Sequence, residues 1–329
     1  MTSQLLDRYR PSAAFAGGLA APFPEFCSCG PAVRYSCGHC WHDQCLDCGF
    51  CAVEGCVCHC TLGFTPGEPP TTGPEFWLGA HHPRWLATVG LPLMVSRRSL
   101  NGRRSLPRAA EAWVLDSGGF TELSLNGGWH QVPAHVYARD IARYRDEIGR
   151  LTWAAPQDWM CEDQILAKTG LTVREHQART VGNYLDLMAI DPTLDIIPAV
   201  QGQTVADYEH CLTLYDRAGI NLRDAPLVGV GSICRRQNTA EAAAIIATLH
   251  GHGLRLHGFG LKLDGLAQSA DHLTSADSLA WSRDARWNPP IEGHTHVSCS
   301  NCLHWALRWR ERVLTVLHAP RQMTLPTSL

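Results

Sequence analysis

The sequence is short of charge and nearly empty of lysine. Of its 329 residues, 18% are Asp, Glu, Lys or Arg, against about 25% in ordinary soluble domains. Two lysines, Lys168 and Lys262, stand against 26 arginines. We read that skew as coding bias and give it no functional weight. A formal net charge of −3 excludes a chain that is polybasic throughout. There is no run of about 18 apolar residues, so no transmembrane helix is expected. Met1–Phe26 has no cationic start followed by an apolar stretch, so no secretory signal is expected. The expected compartment is the cytoplasm of a bacterial or phage-infected cell. Gly-x-Gly-x-x-Gly is also missing, because Gly229-Val-Gly231 continues into Ser-Ile-Cys, and this removes the dinucleotide fingerprint. Apolar material is plentiful at 45%, which excludes disorder throughout the chain.

Cysteine is abundant and unevenly placed. Ten of the 15 lie in one window, as Cys27-x-Cys29, Cys37-x2-Cys40, Cys45-x2-Cys48-x2-Cys51 and Cys56-x-Cys58-x-Cys60, with His39, His42 and His59 interleaved. In a reducing compartment such thiols favour metal over disulfides. Zinc takes four soft ligands, and Cys-x2-Cys lets one turn supply two of them. We therefore expect a zinc module over residues 1–62 whose folding energy comes from metal. A disulfide knot and an iron–sulfur cluster are the alternatives. A Gly/Pro linker follows at 63–75, with Gly63-Phe-Thr-Pro-Gly-Glu-Pro-Pro at its start. Residues 1–75 carry 3 basic and 7 acidic side chains, so the module is no obvious basic clamp for DNA.

From Phe76 to the end at 329, short apolar runs alternate with amphipathic stretches. The expected strands are Pro92–Ser96, Ala112–Leu115, Leu151–Ala155, Ile196–Val200, Leu227–Val230, Leu254–Phe259 and Leu273–Ala276. The expected helices are Ala134–Glu147, Val173–Ala189, Val205–Ala218, Ala240–His252 and Asn301–Leu317. Thr172 with Glu175 and Thr204 with Asp207 resemble capping boxes. Alternating β and α units over this length predict an α/β fold, a TIM-like (β/α)8 barrel, with an open doubly wound sheet as rival.

Polar residues recur where strands end. Asp116-Ser117-Gly118-Gly119 follows one strand, and Asp158, Gln201-Gly202, Gly231-Ser232, Lys262 and Asp277 follow others. In a barrel these ends form one mouth, where active sites are built. One such aspartate alone is more often a helix cap, but their recurrence on one face favours a reaction centre. Asp116, Asp158 and Asp277 can ligate a metal, or one can attack an anomeric carbon while another moves a proton. The third carboxylate, with Gln201, can read the edge of a heterocycle. Trp153, Trp159 and Trp281 are expected in the core rather than as pocket walls. The arginine pairs Arg97-Arg98, Arg103-Arg104 and Arg235-Arg236 can meet phosphate or solvent.

Asp116-Ser-Gly-Gly-Phe120, the strand ending at Asp158, Val200-Gln-Gly202, Val228-Gly-Val-Gly231 and the late Asp277 resemble, in order, motifs of the tRNA-guanine transglycosylases. The wording of Trp153-Ala-Ala-Pro-Gln-Asp-Trp-Met160, Val228-Gly-Val-Gly-Ser-Ile-Cys234, His257-Gly-Phe-Gly260 and Ser275-Ala-Asp-Ser-Leu-Ala-Trp-Ser282 resembles the deazapurine DNA modification protein A family within that superfamily. The resemblance runs from Phe76 to Arg312 and leaves out the cysteine window. It implies a zinc-containing barrel that exchanges guanine in DNA for a 7-deazaguanine base, such as 7-cyano-7-deazaguanine. By the same resemblance Asp277 is the nucleophile that forms a covalent Asp–nucleotide intermediate, and Asp116 is the general acid/base. Asp158, Gln201, Ser117 and Gly229-Val230-Gly231 are the expected base-binding residues. His294-x-His296-x2-Cys299-x2-Cys302 takes the place of the zinc cluster, with His304 as another possible fourth ligand. The expected partners are nucleic acid, the 7-deazaguanine base and proteins of a DNA modification system, with no membrane. A tRNA-guanine transglycosylase, a non-catalytic zinc-dependent nucleic-acid-binding protein and an enzyme on free nucleosides are the alternatives.

Overall fold

A computed structural model describes residues 73–234 and 239–317. The cysteine window, the linker up to residue 72 and Arg235-Arg236 lie outside the described residues. Among the described residues there are eight strands: β1 (Glu75–Ala80), β2 (Leu93–Ser96), β3 (Trp113–Asp116), β4 (Leu151–Ala154), β5 (Ala199–Val200), β6 (Val228–Val230), β7 (Leu256–Gly258) and β8 (Ser275–Ser278). The helices between and after them are α1 (Trp85–Thr88), α2 (Arg97–Leu100), α3 (Gly119–Asn126), α4 (Ala134–Ile148), α5 (Asp163–Thr169), α6 (Val173–Ile190), α7 (Val205–Arg217), α8 (Ala240–Gly251), α9 (Leu263–Ser269), α10 (Ala280–Trp287) and α11 (Leu303–Leu317). Among the described residues no helix is long and apolar enough to cross a membrane.

The strands form one parallel sheet in the order β4-β3-β2-β1-β8-β7-β6-β5. It curls as in a TIM barrel. Its two ends are joined by an isolated parallel bridge, Ala154 to Ile196. There the Ala154 N–H donates to Asp195 O at 2.8 Å and the Ile197 N–H to Ala154 O at 3.1 Å. Alternation along the strands makes two apolar layers. Phe76, Leu78, Leu93, Val95, Trp113 and Leu115 pack outward against helical residues such as Tyr137, Ile141 and Tyr144. Their strand neighbours Trp77, Met94, Val114 and Trp153 pack with Ala155, Ile197 and Leu227 inside the curl. Each fully buried side chain of this size contributes about 1.5–3 kcal/mol.

Local signals in the sequence explain several helices. On α4, Tyr137, Ala138, Ile141, Tyr144 and Ile148 are buried at helical spacing. Both capping boxes form. The Thr172 side chain accepts from Glu175 N while Glu175 accepts from Thr172 N, and Thr204 and Asp207 repeat the arrangement. Each cap is worth about 1 kcal/mol.

Two differences from the sequence reading concern the site. Strand β1 was not foreseen, because it starts at Glu75 within the expected linker and its run Phe-Trp-Leu is interrupted by Gly79. The last strand starts two residues later than expected, so Asp277 lies inside β8, paired with Trp77 of β1. Asp116 is likewise the last residue of β3, paired with Ser96.

Candidate active site

The C-terminal ends of the strands gather the three aspartates. Asp116 closes β3 and is turned into α3 by Gly118, whose φ of 81° is a left-handed conformation that suits glycine. Burial pushes the Asp116 carboxyl above its ordinary value; hydrogen bonds from the Ser96 side chain and the Gly118 backbone oppose this, and the Asp277 charge adds to it. The two carboxylates therefore act on each other across one mouth. The net effect favours the protonated form of Asp116 relative to an exposed carboxyl.

Asp158 follows β4 and is almost fully buried. Burial pushes its carboxyl up to about 7, with the charges of Asp116 and Glu162 adding to the shift and hydrogen bonds from its own backbone and Gln201 opposing it. Gln201, just past β5, donates its amide N–H to Asp158 Oδ2. The other end of that amide accepts from Ser232 Oγ at 2.6 Å, and Ser232 also accepts from Cys161 N at 2.6 Å. These contacts fix which way the Gln201 amide faces. Gly231 makes room for it, since a Cβ there would overlap the Gln201 side chain. Val230 turns its side chain into the outer core. Ser117 is buried in the loop after β3. Gly229 and Gly231 donate their N–H groups to Pro198 O and Val200 O within the sheet.

Asp277 is placed differently. Its Oδ1 accepts from Gly260 N at 2.9 Å and faces His257 Nε2 at 3.2 Å. His257, fully buried on β7, meets Ser275 Oγ with its other ring nitrogen at 2.8 Å. His257 opens the His257-Gly-Phe-Gly260 motif, and the motif by itself assigns it no role. The signal was a histidine inside a run read as buried strand, which has to find partners for both nitrogens.

The segment after β1 and the helix α10 that follows β8 enclose a cleft of about 440 Å³ lined by His81, Leu279, Ser282, Arg283, Arg286 and Trp287. Trp287 is 79% exposed. Sequence reasoning missed these arginines and this tryptophan. Two of the arginines expected at such contacts, Arg97 and Arg98, are paired within the fold instead. Arg97 is buried against Asp140 at 2.6 Å, and Arg98 is paired with Glu122 at 2.6 Å. Trp153, Trp159 and Trp281 are core residues, as expected.

The second constellation lies after α10. Ligand atoms of His294, His296, Cys299 and Cys302 all fall within 4.8 Å of one another. A tight turn, in which Cys302 N donates to Cys299 O at 2.9 Å, presents the two sulfurs together. His294 Nδ1 and His296 Nε2 are 3.2 Å apart, His296 Nε2 and Cys299 Sγ 3.0 Å, and Cys302 Sγ and His294 Nδ1 3.6 Å. The edges of a zinc tetrahedron with its usual Zn–N and Zn–S bonds are roughly 3.3–3.8 Å, so the donor set fits a tetrahedral metal ion. His304 stands behind, its Nδ1 3.2 Å from His294 Nε2, as an orienting partner for a ligand histidine. Among the described residues this is the group of three or more metal-type side chains, and the mouth aspartates do not form another. The turn clamps α10, because Ser298 Oγ donates to Ala285 O at 3.2 Å and Trp305 Nε1 to Asp284 Oδ2 at 3.1 Å.

A family model described as DpdA, DeoxyPurine in DNA protein A, matches residues 73–327. The chain belongs to this family. Membership in the DpdA family implies a DNA-modifying, transglycosylase-like enzyme with a DNA substrate. The match begins two residues before β1 and includes both the mouth and the Cys/His cluster. No curated protein matches the chain in sequence.

Proposed function

We propose that the chain is a DNA-guanine transglycosylase that replaces guanine with a 7-deazaguanine base, such as 7-cyano-7-deazaguanine. The observation that carries this is the division of labour in the mouth. Asp277 has one oxygen saturated by donors, and Asp116, facing it, is pushed toward its protonated form. In the first step a bond forms between Asp277 and C1′ of the target nucleotide. The C1′–N9 bond breaks with its electron pair going to guanine, and Asp116 gives its proton to the departing base. In the second step Asp116 takes a proton from the incoming base, whose nitrogen displaces Asp277 from C1′. Two inversions retain the configuration at C1′.

Asp158, with Gln201 behind it, reads the ring edge of the base, and Ser117 and Gly229-Val230-Gly231 form its cradle. The target nucleotide has to leave the stack, at a cost of a few kcal/mol. Arg283, Arg286 and the exposed Trp287 offer phosphate contacts and a stacking surface for the strand beside it. Zinc suits the donor set of His294, His296, Cys299 and Cys302 and would supply rigidity to the loop that holds α10. We further propose that residues 1–62 form a separate metal-binding module, joined by the Gly/Pro linker to a catalytic domain that begins with β1.

The test is incorporation of labelled guanine into duplex DNA or into tRNA by the full chain. Label entering DNA, with a DNA–protein adduct that survives denaturation, is the expected result. Incorporation into tRNA only would overturn the DNA assignment.

A further inference from the structure

We propose that His257 is a positioning residue that selects the attacking oxygen of Asp277. This rests on the transglycosylase reading above. Two N–H groups converge on one carboxylate oxygen: His257 Nε2 at 3.2 Å and Gly260 N at 2.9 Å both face Oδ1. No hydrogen bond reaches Oδ2 among the described residues. Oδ1 is thus committed to the protein, and Oδ2 is the lone-pair donor that forms the bond to C1′ while the C1′–N9 pair leaves with the base.

The imidazole itself is tightly held. Its far nitrogen meets Ser275 Oγ at 2.8 Å. His257 and Ser275 are direct neighbours across the β7–β8 ladder, and Ser275 and Asp277 share one face of β8 because side chains alternate. The chain Ser275–His257–Asp277 therefore runs along the inner face of the sheet. Trp153 and Phe259 pack edge-on to the ring, at centroid distances of 4.7 and 4.8 Å, which blocks its rotation. A buried imidazole is costly unless both nitrogens are satisfied, and here both are, one of them by the reacting carboxylate. Holding a nucleophile in one near-attack orientation lowers the barrier of the chemical step and leaves substrate affinity largely untouched.

The experiment compares His257→Phe, His257→Gln and Ser275→Ala with the parent full-length chain, measuring kcat and KM for exchange of labelled guanine into duplex DNA. The expected loss in His257→Phe is ~10²-fold in kcat with KM changed by less than ~3-fold. His257→Gln, whose amide N–H can still reach Oδ1, should recover at least ~10-fold of that loss. Ser275→Ala, which frees the far end of the ring, should lose ~3- to 10-fold in kcat alone, and it carries the test if His257→Phe does not fold. Parental kcat in His257→Phe, or in Ser275→Ala where that variant stands alone, overturns the proposal. Equal losses in the Phe and Gln variants, with kcat and KM moving together, also overturn it by marking a structural role. A parent that exchanges no base into DNA or tRNA removes the transglycosylase reading itself, and this inference with it. That outcome is distinct because the parent, not the variant, is silent.

Discussion

The mouth of the curled sheet and the Cys/His turn after α10 are both clusters of ionisable side chains, built by opposite rules. In the mouth, hard oxygen groups are spread over different strand ends, and each is tied to neutral donors such as Gly260 N, Ser96 and Gln201. In the turn, four nitrogen and sulfur groups drawn from a span of nine residues crowd within 4.8 Å of one another. The first arrangement gives each carboxyl its own hydrogen-bond partner while the charges still act on one another, which suits groups that change protonation or bond during a reaction. The second brings ligands so close that only a shared cation or proton relieves them, which suits a permanent staple. On the proposed function the mouth carries the chemistry and the turn the scaffolding, and experiments can break that separation or sharpen it.

The largest effect is expected from Asp277→Ala, which should abolish exchange and the covalent adduct, a loss of at least ~10³-fold, while metal content stays at the parental value. Retained activity would remove Asp277 as nucleophile, and lost metal would join the two regions that we hold apart. Next is Cys302→Ser, or removal of metal by a chelator. The thermal unfolding midpoint should fall by several degrees, consistent with a loss of ~2 kcal/mol or more in a domain of this size. An unchanged midpoint would mean that the turn is no staple.

The third prediction concerns pH. Asp158 has its folded pKa raised to about 7, so the folded state binds more protons than the unfolded state between about pH 4 and 7. Its contribution to stability is greatest below the unfolded pKa and is lost as pH rises through the folded one. Asp158→Asn carries no such charge, so its unfolding midpoint should gain on the parent as pH rises from 4 to 8. A constant difference across that range would refute the burial argument. The smallest effect is expected from Arg283→Ala and Arg286→Ala, each weakening DNA binding by ~3- to 10-fold and lowering its salt dependence by about one phosphate contact. Salt dependence unchanged in both would take the cleft out of the DNA path.

The sequence made the α/β alternation, both capping boxes, the three strand-end aspartates and the Cys/His turn legible, because each is a local pattern. Thr172 sees Glu175 and Cys299 sees Cys302 within a few residues. What was not legible depends on register between distant segments. His257 acquires its partners only when β7 and β8 align, Asp277 being 20 residues further on. Arg283, Arg286 and Trp287 look like any surface of a short helix until β1 delivers His81 beside them. Strand β1 itself was hidden by the Gly/Pro-rich stretch that leads into it. Arg97 differs for the opposite reason: an adjacent arginine pair suggests phosphate or solvent, whereas the fold buries Arg97 against Asp140 of α4.

The single bridge between Ala154 and Ile196 gives the sheet a clasp. Everywhere else neighbouring strands share a run of paired residues, whereas here the ring is fastened at one point. Asp158 and Gln201 stand just beyond the strands on either side of that clasp, and the amide-to-carboxylate contact between them is a second catch across the same gap. On the proposed function a heterocycle that claims the Asp158 carboxylate would compete with this catch, so pocket occupancy and ring closure would be linked, each biasing the other by the same free energy. Amide exchange at Ile197, whose N–H donates across the clasp, is where that linkage should be read, and a rate indifferent to bound base would sever it.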